Sequence, residues 1–195
     1  MNAKSLLLAV VSAATLALVP SCATNDPVTQ ANASTSSASQ ISRDSRAALA
    51  SLYAQNPAAK ALGRKARAVL VFPSIVKGGF VVGAQAGNGA MIRDTGAISG
   101  YYQTTAASYG LQAGVQEFGY ALFFMNDQAF RDIHSSGGWE IGSSPSLVVV
   151  DKGMATSLTT TTLDKNIYAF FFNQRGLMGG LGLQGSKITR IHPGQ

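Results

Sequence analysis

The chain has 195 residues, of which 46% are hydrophobic and 12% charged, with 15 Lys and Arg against 9 Asp and Glu. The net charge of +6 favours anionic partners such as phospholipid head groups or nucleic acid. A single cysteine, Cys22, excludes a framework of intramolecular disulfides, so the folded part must be held together by packing.

The N-terminus has the pattern of a lipoprotein signal peptide over residues 1–21. Lys4 precedes an apolar run over residues 5–19, which is too short to span a bilayer. The run ends in the sequence LVPSC at Cys22, which resembles a bacterial lipobox and predicts lipidation of this cysteine. Ala23 then favours the outer membrane over the inner one. We therefore expect a lipid-anchored protein of the cell envelope, facing the periplasm or the cell surface, where nucleic acid is not an expected partner.

Residues 22–40 are rich in Ser, Thr, Ala and Asn and carry almost no large apolar side chains. Such a segment cannot bury enough surface to offset its ordering entropy, so it is predicted to be a flexible tether. The remaining residues, 41–195, suit a single domain.

Two helices are predicted at the start of this domain. Ser42 can cap a helix that runs to about Ala54, with an apolar stripe that includes Leu49 and Leu52. Asn56-Pro57 is typical of a second helix start, and this helix is predicted to run to about Arg67.

After these helices the pattern changes to short apolar runs that glycine interrupts repeatedly. Glycine inside a strand usually marks a bulge, a bend or a close backbone approach. Many such positions indicate a strongly curved sheet. The predicted fold class is α+β, with two N-terminal helices packed on a curved, Gly-rich, mostly antiparallel β-sheet or small barrel.

Basic residues cluster on and after the second predicted helix. They are Lys60, Arg64, Lys65, Arg67 and Lys77. Spacings of three and four residues would place Lys60, Arg64 and Arg67 on one helical stripe, with Lys77 closing the patch from a loop. These five residues are the predicted lipid-binding site, and a solvated helix face is the competing interpretation. Arg175, Lys187 and Arg190 form a weaker second group.

The sequence shows little that resembles a catalytic or metal centre. His134 and His192 have no helical pairing, the carboxylates are scattered, and no G-x-S-x-G motif is present. Residues 180–185 match G-x-G-x-x-G, but a strand-like alternation follows them instead of the helix that dinucleotide binding requires. We therefore expect no catalytic residues, no metal and no cofactor, and we expect that the protein is not an enzyme.

Several ordered motifs resemble the SYLF domain. They are VFPSIVKGGFVVG at 71–83, GNG at 87–89, LQAGVQ at 111–116 and FFFNQRGLMGG at 170–180. The similarity covers residues from about 47 to the C-terminus. It implies binding of membrane lipid, since eukaryotic SYLF proteins bind phosphoinositides and yeast relatives also bind actin, while bacterial members are envelope lipoproteins.

The function predicted from these features is binding of anionic phospholipid by a membrane-anchored lipoprotein. Three alternatives remain open at this point. The domain could be a structural or protein-interaction module with an envelope protein partner, it could handle lipid as an enzyme, or it could take up a small apolar ligand.

Overall fold

The computed structural model describes residues 36–134, 139–140, 147–150, 165–176 and 185–194. The signal peptide, Cys22 and nearly all of the predicted tether lie outside these residues. The described elements are α1 (Ala38–Gln55), α2 (Pro57–Gly63), β1 (Ala68–Arg93), β2 (Ile98–Phe124), α3 (Asp127–Asp132), β3 (Trp139–Glu140), β4 (Leu147–Val150), β5 (Ile167–Gly176) and β6 (Lys187–Ile191).

Helix α1 begins at Ala38, four residues before the predicted start. The cap is Ser37 instead of Ser42, because the Ser37 hydroxyl accepts a hydrogen bond of 3.3 Å from the Gln40 amide. Ser42 lies inside the helix and donates to the Ala38 carbonyl at 2.8 Å. The last residues of the predicted tether are therefore helical.

Helix α2 begins as predicted and ends earlier than predicted. Asn56 is the cap, with its side-chain oxygen 3.0 Å from the Ala59 amide, and Pro57 is the first helical residue. The helix ends at Gly63 and not at Arg67, because the Arg67 amide already donates to the Phe124 carbonyl at 2.8 Å. A residue held in a sheet ladder cannot also continue a helix.

Strands β1 and β2 form one antiparallel hairpin of unusual length, with 26 and 27 residues. Their register runs from Ala68 opposite Phe124 to Ile92 opposite Ile98. The short apolar runs between glycines are therefore not separate short strands but parts of two continuous ones. Glycines that look like strand ends lie instead within continuous strands and at the register shifts that bend them, as between Gly79 and Val81.

The long hairpin folds back on itself. The Asp94 amide, just after β1, donates to the Arg67 carbonyl, just before β1, at 3.2 Å. The two halves of β1 approach so closely at Gly87 that an added Cβ would lie 2.6 Å from the Ser74 carbonyl oxygen. Two layers of sheet are thus made from one doubled ribbon, and glycine is required where they touch.

The other strands extend this ribbon into a six-stranded sheet within the described residues. Strands β5 and β6 both pair with the edge of β2 that β1 leaves free, at opposite ends of β2. Strand β3 adds antiparallel to β6, and β4 adds parallel to β5. The predicted α+β class with a curved, Gly-rich, mostly antiparallel sheet is confirmed.

Alternate residues of the strands supply two hydrophobic clusters. The inner core lies between the two layers and includes Leu70, Phe72, Met91, Tyr102, Tyr120 and Ile188. The outer core lies under the helices and joins Leu49, Leu52 and Leu62 to Val69, Val71 and Phe123. Consecutive side chains of a strand point to opposite faces of the sheet. A single run such as residues 68–72 therefore contributes side chains to both cores.

Candidate functional site

The predicted lipid-binding residues lie mainly on the connection between α2 and β1. Lys60 is on α2, Arg64 follows its last residue, and Lys65 and Arg67 lie on the turn that leads into β1. All four side chains are exposed. The predicted helical stripe is therefore wrong, since the helix ends at Gly63, but four cations still lie together on one short surface segment. We call residues 60–67 the basic connection.

Arg67 differs from the other three cations because it has an acidic partner. Its Nε lies 3.6 Å from a carboxylate oxygen of Asp127 on α3, and both side chains are more than half exposed. Exposed ion pairs of this kind contribute only about 0–1 kcal/mol. Asp127 nevertheless offsets one of the four positive charges, which leaves Lys60, Arg64 and Lys65 as the strongest cationic part of the segment.

Lys77 lies away from this segment. It is half-buried on β1, where its register partner is Gln116. Ten residues of extended chain separate it from Arg67, which is roughly 30 Å along the strand. Lys77 therefore does not close the patch as predicted, and the sheet places it toward the bend of the hairpin.

The weaker second group of cations is also not brought together. Lys187 and Arg190 are three apart on β6, so their side chains face opposite sides of the sheet. Arg175 is on β5, at the other end of β2, where its register partner is Glu117. Only Arg190 joins a cluster of other functional groups.

That cluster lies at the open end of the inner core and was not found from the sequence. The Tyr102 hydroxyl is 2.9 Å from Nδ1 of His134, just after α3, and Arg190 lies opposite Tyr102 on β6. The guanidinium of Arg93 stacks on the ring of Phe130 at 4.7 Å. Partial burial, together with the charges of Arg190 and Arg93, lowers the pKa of His134 below its ordinary value.

An apolar groove of about 540 Å³ lies between the end of α1 and the strands β4 and β5. Its floor includes Leu52, Val150 and Phe170, and amide side chains such as Asn56 and Asn173 lie along it. The three consecutive phenylalanines at 170–172 border it while they also pack into both cores. Both faces of β5 are therefore apolar at these three residues.

Two further observations concern the described residues only. No group of three or more His, Cys, Asp or Glu side chains is placed to hold a metal ion in this part of the chain. Its longest helix, α1, is not apolar enough to cross a membrane, nor is any other described helix both long and apolar enough. The G-x-G-x-x-G run lies almost entirely outside the described residues.

Comparison with known proteins finds a family model that matches part of the chain. Residues 105–192 match the family model named Ysc84 and described as Las17-binding protein actin regulator. This stretch begins within β2 and ends just after β6, so it includes most of the sheet outside β1. No curated protein matches the chain. The Ysc84 match over residues 105–192 is consistent with the resemblance of the motifs to the SYLF domain.

Proposed function

We propose that this SYLF-like domain binds anionic phospholipid head groups through the basic connection, in a chain held at the membrane by an acylated Cys22. The observation that carries the proposal is the charge of residues 60–67. Four exposed cations lie within eight residues, and Asp127 is their one acidic partner within the described part of the chain. A surface of this kind is matched by a layer of phosphate groups.

The strength expected of this interaction is modest. Each Lys or Arg close to an anionic membrane contributes about 1 kcal/mol, and the attraction falls off over a Debye length of about 8 Å at physiological salt. Lys60, Arg64 and Lys65 together would give weak, salt-sensitive binding. An acyl anchor would hide such binding, since it would hold the domain at the membrane in any case.

The test therefore uses a chain that begins at Ser36 and lacks the anchor. The variant combines Arg64→Gln with Lys65→Gln, and the control combines Arg43→Gln with Arg46→Gln, which removes the same charge from exposed positions on α1. Sedimentation with vesicles of phosphatidylglycerol and of phosphatidylcholine is compared. We expect the first variant to lose most binding to the anionic vesicles and the control to keep it.

Two results would contradict this proposal. Equal binding by the Arg64/Lys65 variant and the parent would show that the basic connection is an ordinary solvated surface. Equal loss in both variants would show that only the total charge matters. Circular dichroism of each variant separates these outcomes from unfolding.

The groove beside α1 supports a second candidate, the binding of a small apolar ligand. Its volume of about 540 Å³ is in the range of ligand pockets, and its apolar floor with amide groups beside it suits one acyl or aromatic group. Val150→Trp should fill the groove. If a fluorescent fatty acid binds the parent and the Val150 variant equally, the groove is not its site.

A further inference from the structure

The end of the inner core next to the hairpin turn holds two arginines that come from different strands. Arg190 on β6 is the register partner of Tyr102, and its Nη2 is 3.5 Å from the Ser99 carbonyl oxygen. Its Nε would lie 3.5 Å from a Cβ placed at Gly100. The Arg190 side chain therefore lies over Gly100, within ordinary van der Waals distance of that position.

Arg93, the last residue of β1, also lies near His134, through the ring of Phe130. Its guanidinium lies over the ring of Phe130 at 4.7 Å, and the Phe130 ring in turn contacts the His134 ring, with 4.7 Å between centroids. Stacking on an aromatic ring leaves the in-plane N–H donors of a guanidinium available.

His134 lies close enough to both arginines to be affected by their charges. The Tyr102 hydroxyl is 2.9 Å from its Nδ1, and burial raises the pKa of Tyr102 to about 12, so this hydroxyl keeps its proton. If Tyr102 donates to Nδ1, the neutral ring carries its proton on Nε2. Partial burial, together with the charges of Arg190 and Arg93, lowers the pKa of His134, as expected for an imidazole close to two cations.

Within the described ranges, neither Arg93 nor Arg190 forms an ion pair with a carboxylate. The charged residues adjoining His134 in its own segment are Arg131 and Asp132, and the carboxylate of Asp132 accepts a hydrogen bond of 2.7 Å from Gln128. Two guanidinium groups thus lie near one imidazole ring, and neither of them is held in an ion pair with a described carboxylate.

We propose that Arg93, His134 and Arg190 form a binding site for a phosphate monoester or free phosphate, which we call the Arg–His site. Guanidinium groups bind phosphate oxygens through paired N–H donors, and two of them match the two negative charges of a monoester better than the one charge of a diester. The site includes no residue of the basic connection, so neither proposal depends on the other.

The first measurement follows the His134 ring by NMR in the full-length protein, solubilised in a non-ionic detergent, during titration with inorganic phosphate at constant ionic strength. We expect a saturable shift of the His134 signals and a rise in the pKa of His134, because a bound dianion opposes the effect of the two arginines. The shift of His192 under the same conditions reports non-specific effects of the anion.

The second measurement compares variants by calorimetry with inorganic phosphate. Arg93→Gln and Arg190→Gln should each weaken binding about tenfold, since a charge-assisted hydrogen bond contributes on the scale of one tenfold step in affinity. The control that combines Arg43→Gln with Arg46→Gln should bind phosphate as the parent does.

Vesicles then distinguish a lipid source from a free one. Phosphatidic acid exposes a phosphate monoester and phosphatidylglycerol a diester. Weaker binding of the Arg93/Arg190 double variant to phosphatidic acid alone would assign the site to a lipid head group, and unchanged vesicle binding with lost phosphate binding would assign it to a soluble phosphate. Absence of a saturable His134 shift, or equal phosphate affinity of the double variant and the parent, would overturn the proposal.

Discussion

The two halves of β1 lie very close together at Gly87, where the absence of a side chain makes this approach possible. An added Cβ there would lie 2.6 Å from the Ser74 carbonyl oxygen and 2.7 Å from Cγ1 of Ile75. Both contacts are shorter than side-chain carbons normally tolerate, and one of them is with backbone that cannot move alone. The two layers must separate if this position gains a side chain.

Gly87→Ala should therefore lower the free energy of unfolding by about 1–3 kcal/mol, the usual cost of overpacking. Urea denaturation followed by circular dichroism measures it. Gly78→Ala on the same strand is the matched control, because its Cβ would meet nothing closer than 3.9 Å. If both variants are equally stable, the layers do not touch at Gly87 as described.

Tyr120 and Thr104 form a buried hydrogen bond between the two layers. The Tyr120 hydroxyl donates to the Thr104 hydroxyl at 2.9 Å, and both residues are fully buried. Tyr120→Phe should cost about 1–3 kcal/mol, because it leaves a buried polar atom unpaired. The double change with Thr104→Val should cost less than the sum of the two single changes, which a double-mutant cycle from urea denaturation would show.

His134 predicts a pH dependence of stability. Its pKa is lowered in the folded protein, so folding favours the neutral ring. The contribution is fully present above the ordinary pKa of about 6.5 and is lost as the pH falls through and below that value. Compared with the parent, His134→Gln should therefore lose less thermal stability between pH 7.5 and pH 5.5. An identical decrease in Tm for both proteins would contradict this assignment.

Among the helices, the sequence predicted α2 well at its start and poorly at its end. Asn56 caps the helix through a local hydrogen bond to Ala59, and such a contact is visible in four residues of sequence. The end at Gly63 depends on the pairing of Arg67 with Phe124, which lies more than fifty residues away. A contact of that range has no local signal.

The strands, like the helices, could be predicted from the sequence only where local signals determine them. Residues 68–72 form a continuous apolar run in the sequence, and its two faces supply two cores. The length of β1 was not recognisable, because the glycines between Gly78 and Gly89 weaken a strand pattern locally and are needed only when the ribbon doubles. Likewise the basic connection was found as a cluster of charges, whereas the Arg–His site depends on the register between β2 and β6.

Helix α2 also gives a test of its own cap. Asn56→Ala removes the acceptor for the Ala59 amide and should destabilise the protein by about 1 kcal/mol. Asn56→Asp keeps the acceptor and should restore most of that loss in urea denaturation. Equal loss in both variants would mean that the amide group of Asn56, and not the cap, stabilises this corner.

For the whole molecule, the first turn of α1 and its cap Ser37 belong to the folded part of the chain, although they lie in the predicted tether. Ser37 caps α1, and the Ala38 amide donates to the Gly194 carbonyl at 3.1 Å, which joins the two ends of the domain. A chain that starts at Ser36 should have a higher Tm than one that starts at Ile41. Equal Tm values would show that the first turn of α1 contributes nothing.

The doubled hairpin also sets the order in which the chain can fold. The pairs nearest the turn, such as Ile92 with Ile98, are six residues apart, whereas Ala68 and Phe124 at the far end are separated by more than fifty. Loop closure costs more entropy with every added residue, so pairing is cheapest when it starts at the turn and spreads outward. Gly96, with a φ of 82°, closes that turn. We therefore expect pairing to begin at this turn, and we expect the ribbon to fold onto itself only after it has formed.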